Sequence, residues 1–175
     1  MRTQTQIENN PADALWQPLP NLDPHCFACG QENPSGLKMK FETNGEKIRS
    51  RIIVPEHMRG WNNIVHGGVL STICDEIMSW AAIVLLKRFI LTKNMNVRFL
   101  RSVEIGTRLT AQGFVKKQSS DRHAIMKAVI TNPDGDIVAD SRGEFILFTE
   151  EQFRPLNVAD NDYIREMTET VFKFV

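Results

Sequence analysis

His66-Gly67-Gly68 is followed, nine positions after the histidine, by two adjacent carboxylates, Asp75 and Glu76. A carboxylate in an apolar setting can attack a carbonyl carbon or draw a proton from water. Backbone amides in the first turn of a helix have no intrahelical acceptor, and the helix dipole makes them good donors to a developing oxyanion. Glycine at that turn leaves the approach open, since no Cβ stands in the way. The combination points to chemistry on a carbonyl, with the Gly67 N–H polarising the oxygen, the Gly68 amide and the His66 ring beside it, and Asp75 as nucleophile or general base. A mixed anhydride and an activated water are both consistent with these residue types.

The element carrying these groups has apolar residues at Val69, Ile73, Ile77, Trp80 and Val84, and again at Leu70, Cys74, Met78, Ala81 and Leu85. That spacing predicts a buried helix, apolar nearly all round. Its length would suit a membrane span, but Asp75, Glu76 and the glycine pair make insertion expensive, so it reads as a core helix. Eight helical residues separate Gly67 from Asp75, about 12 Å of rise and roughly 80° of rotation, so the two cannot reach one carbonyl within a chain. A two-fold dimer with antiparallel helices resolves this, the Gly67 of one chain facing the Asp75 of the other. Asp75 as a merely structural carboxylate would need Ser71, Thr72 or a partner backbone to satisfy it. Glu76 points about 100° away from Asp75 and is expected to pair with a basic residue or a dimer neighbour.

Cys26 and Cys29 form a CxxC, with His25 beside them. One such pair falls short of the four ligands a structural zinc takes, so no metal is expected, and no βαβ pattern supports a thioredoxin-like role. The pair reads as a compact turn on the sheet edge, and Cys74 as a buried core thiol. Three cysteines, with no charged-then-apolar leader in the first 20 positions, fit a reducing, cytoplasmic setting. The 21 Lys and Arg balance the 21 Asp and Glu over 175 residues, so no bulk charge calls for nucleic acid or an anionic membrane surface.

The elements around the helix are strands. Leu37, Met39 and Phe41 alternate with polar residues, and after Asn44-Gly45 the alternation resumes at Ile48, Ser50, Ile52 and Val54, predicting a hairpin. Four more strands are predicted at about 92–102, 108–117, 123–132 and 137–149. Two strands, one long helix and four strands make an α+β domain in which an antiparallel sheet curls round one helix. Residues 1–24, rich in proline with Leu15 and Trp16 as anchors, read as an arm, 25–150 as the domain, and 151–175 as a tail. An amphipathic helix is expected in that tail, on Tyr163, Met167, Val171 and Phe174.

His66-Gly67-Gly68 with Asp75, Cys26-Phe27-Ala28-Cys29-Gly30 with Asn33-Pro34 and Gly36-Leu37, Gly60-Trp61 through Ile64-Val65, and Asn96-Val97-Arg98-Phe99-Leu100-Arg101 together resemble the hotdog-fold acyl-CoA thioesterases of the phenylacetyl-CoA type. The resemblance covers roughly residues 26–148. It implies a hotdog fold, a dimer with a continuous sheet or a dimer of dimers, hydrolysis of an acyl-CoA thioester to free acid and CoA, and no metal or other cofactor. It also implies a water-holding asparagine six positions before His66, where this chain has Gly60 and where Asn63 is the nearer substitute along with Asn62. A polar residue of the partner chain after the helix is implied too, with Thr92 the nearest match. Relatives often have Arg-Pro at Arg101-Ser102. Arg98 and Arg101, with Lys93, Lys116 and Lys117, are the cations available for CoA phosphates, while Trp61, Met78 and Trp80 would limit the acyl pocket. Gly60 keeps a second reading alive, a non-catalytic module of the same fold that binds an acyl thioester.

Overall fold

The computed structural model describes residues 15–174. The part of the N-terminal arm that runs over 1–14 lies outside them. Seven strands and one long helix make the architecture: β1 (Gln17–Pro18), β2 (Glu42–Thr43), β3 (Ile48–Ile53), α1 (Gly67–Leu86), β4 (Phe89–Phe99), β5 (Arg108–Ser120), β6 (His123–Thr131) and β7 (Ile137–Phe148). They form one sheet in the order β1-β2-β3-β5-β6-β7-β4, every neighbouring pair antiparallel. The four strands after the helix lie where alternation placed them, β4 beginning three residues earlier because Phe89 and Ile90 pair with Phe148 and Leu147.

The first hairpin is reduced. Leu37, Met39 and Phe41 are buried, as their alternation requires. Only Glu42 and Thr43 join the ladder, however, because Leu37 and Met39 donate their amides to Phe27 and Ala28 instead. This segment therefore packs against the cysteine-containing turn rather than extending the sheet.

α1 lies across the concave face of the sheet and forms the core with it. Ile73, Ile77, Met78, Leu109, Met126, Ile130, Phe145 and Leu147 are all fully buried at this interface. The helix and sheet come close because β5 has a glycine at the crossing: a Cβ on Gly113 would lie 2.3 Å from the Ile77 carbonyl oxygen. The helix is not buried all round. Gly68, Thr72, Asp75, Glu76, Ser79, Ile83 and Leu86 run down it as a partly open stripe. Mean hydropathy of 1.7 over α1 is high enough for a membrane span by length and composition, and 61% of that window is buried. The polar residues of that window, with Ile83 and Leu86, lie on the opening, and most of its apolar ones face the sheet.

The C-terminal region packs on the same body. A short helix α2 (Glu150–Phe153) opens on a capping box, Thr149 accepting from the Gln152 amide while the Gln152 side chain accepts from the Thr149 amide. Phe153 stacks on Phe89 with ring centroids 4.6 Å apart, and Phe172 meets Phe89 edge-on at 5.0 Å. The expected amphipathic helix is α3 (Asn161–Glu166), continued by one wider turn over Met167–Val171. Its buried residues are Ile164, Met167 and Val171.

Candidate active site

α1 begins at a tight loop. The Gly60 amide donates to the Ile64 carbonyl at 2.7 Å, and the Arg59–Val65 bridge closes the loop on itself. A Cβ at Gly60 would approach His66 Cα to 3.1 Å, so a larger residue there would crowd the start of the helix. His66 is the N-cap: its Nδ1 accepts from the Gly68 amide at 2.9 Å, which fixes a neutral ring as the Nε2–H tautomer. The Gly68 N–H is thereby occupied, which removes it from the donors expected to act on a carbonyl. The Gly67 N–H has no acceptor among the described residues.

Gly67 opens onto a cavity of about 270 Å³ walled by Leu70, Phe99, Leu100, Arg101 and Val103. Phe99 stands nearest, its ring carbon 3.5 Å from where a Gly67 Cβ would be. Trp61 is 89% exposed at the loop tip, and Asn62 and Asn63 are exposed beside it. The Asn63 carbonyl accepts from the Ile105 amide, which ties the loop down. Neither Trp61 nor Asn63 lines the cavity with Gly67.

Asp75 lies in the open stripe of α1, half-buried. Ser71 and Thr72 do not satisfy it, since their hydroxyls donate to the carbonyls of Gly67 and Gly68 one turn back. Its partner is Thr92, whose Oγ1 donates to Asp75 Oδ1 at 2.9 Å within the same chain. Thr92 was expected to reach the site from a neighbouring chain; the contact forms without one. The β4–β7 ladder explains how: Thr92 pairs with Phe145 and Asn94 with Glu144, leaving Lys93 as an extra residue. Such a bulge bends the strand and re-aims its side chains. Burial raises the Asp75 carboxyl above the ordinary carboxylate range, and the Thr92 hydroxyl pulls it the other way.

The expected phosphate cations have partners of their own. Arg98 makes a fork to Asp140, Nε donating to Oδ1 at 2.8 Å and Nη2 to Oδ2. Arg101 donates to the Ile137 carbonyl at 3.1 Å and faces Asp136 at 3.4 Å. Lys93 faces Glu144 at 3.5 Å, whereas Lys116 and Lys117 are exposed. A phosphate at Arg98 would compete with a bidentate carboxylate.

Two further expectations are corrected. Met78 and Trp80 do not wall the Gly67 cavity: Met78 is fully buried, and Trp80 stacks on Phe41 at 4.8 Å. Glu76 pairs with no basic side chain among the described residues; it accepts from Trp80 Nε1 at 3.1 Å and from the Cys26 thiol at 3.9 Å. The cysteine turn thus packs on α1, not on the sheet edge. Burial, and the negative charge of Cys26 when it is a thiolate, push Glu76 up to about 7, while hydrogen bonding, chiefly from Cys29, holds Cys26 down at about 5. Cys74 is fully buried, its thiol pushed up to about 12 by burial.

Residues 62–139 match the family model described as the thioesterase superfamily. No curated protein matches the chain. Among solved structures, a thioesterase superfamily protein superposes with a TM-score of 0.64 at 21% identity, covering 70% of this chain and 60% of its own length. This chain thus spans less than two thirds of that protein. PaaI of E. coli, from the phenylacetic acid degradation operon, gives a TM-score of 0.58 at 22% identity, covering 65% of this chain and 81% of that one. A hypothetical thioesterase of Streptococcus pneumoniae, solved with coenzyme A, gives 0.55 at 22% identity, covering 58% and 81%. The matched segment begins in the loop before His66 and ends within β7, so it contains α1, the Gly67 amide, Asp75 and Thr92. Over those residues the chain is similar to the thioesterase superfamily, and its antiparallel sheet packed on one long helix is the hotdog fold.

Proposed function

We propose that the protein is an acyl-CoA thioesterase that hydrolyses its substrate to free acid and CoA, acting as a homodimer, alone or paired into a tetramer, in a reducing, cytoplasmic setting. The observation that carries this reading is that one helix holds both a half-buried Asp75, fixed by Thr92 near its middle, and an unpartnered Gly67 amide at its start. The Gly67 amide of one protomer polarises the thioester carbonyl, and the Asp75 of the other attacks the carbon or takes a proton from water. If Asp75 attacks, CoA leaves as the thiolate and water then hydrolyses the mixed anhydride; if Asp75 acts as base, water attacks the carbonyl directly and the CoA thiolate leaves, in both cases taking up a proton. His66 acts through the helix start, by capping it, and Gly68 gives its amide to that ring, where a Cβ would crowd His66 Nδ1 at 3.0 Å.

The open stripe of α1 and the uncovered outer edge of β4 support the dimer, since both leave groups that a second copy would cover. Exposed Phe99 and Leu100 wall the Gly67 cavity, exposed Trp61 stands in the loop before the helix, and the three supply apolar surface for the acyl chain or the partner. The CoA-bound S. pneumoniae neighbour supports CoA as the thiol carrier. Arg101, on the wall of the Gly67 cavity, is the better placed of the two arginines for a phosphate, because its carboxylate partner is exposed and held less closely than that of Arg98. No resident metal or cofactor takes part in this chemistry.

The test is thiol release from a panel of short, medium and aromatic acyl-CoAs by the wild type and by Asp75→Asn. Turnover of at least one substrate is expected, falling about a hundredfold or more in the variant, as loss of a nucleophile or base requires. Equal rates would remove Asp75 from the mechanism. Substrate binding without thiol release in the wild type would favour the acyl-thioester-binding module instead.

A further inference from the structure

A second cluster of chemically active groups lies around Glu76, away from Asp75 and unused by the hydrolysis. Its first half is the turn over residues 23–30. Asp23 Oδ1 accepts from the amides of His25 at 2.9 Å and Cys26 at 3.0 Å. Cys26 Sγ then accepts from the Cys29 amide at 3.4 Å, and the Gly30 amide donates to the Cys26 carbonyl at 2.9 Å. A Cβ on Gly30 would lie 2.5 Å from both the Cys26 nitrogen and the Pro24 carbonyl oxygen, so the turn closes this tightly only over glycine. An amide aimed at the first sulfur, and both thiols directed to one side, form a preorganised pair of sulfur donors.

The second half comes from the core. Glu76, 50 positions after Cys26, projects from α1 onto the two thiols, and Trp80 Nε1 fixes its Oε1 at 3.1 Å. The two sulfurs and a Glu76 carboxylate oxygen lie within 4.8 Å of one another. They border a cavity of about 230 Å³ whose wall also holds Asp23 and Tyr163 but no lysine or arginine. Three groups that can carry negative charge thus converge in a half-buried space without a protein cation, a placement that a bound cation would offset.

We propose that Cys26, Cys29 and Glu76 bind a thiophilic divalent cation, with zinc the best match, and solvent in a fourth position. Two thiolates and a carboxylate suit a tetrahedral zinc, whose donors sit roughly 3.5–3.8 Å apart, so the three need close by only about an ångström. Binding releases to solvent whatever protons the two thiols and the Glu76 carboxyl carry, and forms two Zn–S bonds and one Zn–O bond, with no change in oxidation state. The third ligand is not His25, which the sequence places beside the pair, but a carboxylate brought in by the helix; that is why the CxxC alone argued against a metal. The ion would staple the N-terminal turn to α1 at the residue following Asp75. This site stands apart from the hydrolase reading, and its test reads metal rather than turnover.

The full-length reduced protein, purified without chelator, is assayed for zinc by plasma mass spectrometry. After metal removal it is titrated with Co²⁺ while the thiolate-to-cobalt charge-transfer band is followed. One zinc per chain and one equivalent of cobalt are expected, unchanged in Cys74→Ser. Cys29→Ser should lose the band, and Glu76→Gln should weaken cobalt binding by about tenfold or more. Glu76→Gln can keep the Trp80 contact, so it serves where a cysteine variant fails to fold. Absence of both zinc and a cobalt–thiolate band in the reduced wild type would overturn the proposal. So would a band that persists in Cys29→Ser, or equal cobalt affinity in Glu76→Gln.

Discussion

Asp75 and Thr92 meet because a bulge at Lys93 turns β4 as it passes the helix. Burial raises the carboxyl and the threonine hydroxyl opposes that rise, so the two effects set the pH at which Asp75 is ionised. A base must be ionised to act. Activity should therefore fall as pH drops through the raised value, above the range of an ordinary carboxylate. Thr92→Val removes the group that lowers it, so the acid limb of kcat/KM should move to higher pH and kcat should drop roughly ten- to hundredfold. Thr92→Ser, which keeps the hydroxyl, should restore both. A profile unmoved by Thr92→Val would show that the contact does not hold Asp75 for catalysis. The types and spacing of His66, Gly67 and Asp75 were legible in the chain because a helix converts spacing directly into geometry. The Thr92 contact was legible only as a nearby polar residue, since a bulge is a property of two paired strands.

At the scale of the element, α1 is set by its first turn and by its crossing of the sheet. His66 closes the helix start through the Gly68 amide, an unusual use of a histidine ring in place of Ser or Asp. His66→Ala should lower stability by about 1 kcal/mol, with His66→Asn recovering most of it, as read from denaturant midpoints. At the crossing, the Ile77 carbonyl leaves room for no side chain on β5. Gly113→Ala should cost about 1–3 kcal/mol by forcing the helix away from the sheet, seen as a lower thermal midpoint. An unchanged midpoint would mean that the helix moves freely at this contact. The long strands β4 to β7 could be located from alternation and turn residues. The first hairpin could not be delimited, because the amides of Leu37 and Met39 found acceptors in a distant turn that alternation does not register.

For the whole molecule, the separation of Gly67 from Asp75 along one helix makes assembly the central question. Sedimentation should give a mass of two 20.0 kDa chains or a multiple of that dimer. A sharper measurement is subunit mixing. Gly67→Pro removes the amide at a helix position where proline is tolerated, and Asp75→Asn removes the acid. Each variant alone should be inactive. Refolded together in equal amounts, they should recover about a quarter of wild-type turnover, because half the dimers are mixed and each mixed dimer has one intact site. No recovery from correctly formed mixed dimers would place both groups in one protomer's site and end the two-chain mechanism. The C-terminal helix belongs to this scale as well. Its apolar face is used against Phe89 and its neighbours within the chain, where periodicity alone could not choose between the core and a partner.

Local patterns settled what is governed by local physics. The 3.6-residue period marked α1, the two-residue period marked β4 to β7, and the glycine pair marked the start of the helix. Tertiary structure decided what depends on residues far apart in the chain meeting. It brought Thr92 to Asp75, gave Arg98 to Asp140, made Trp80 a core residue, and set Glu76 against the cysteine turn. Side-chain partners are chosen by the register of a sheet and the depth of a crossing, and neither is encoded within any single stretch of the sequence.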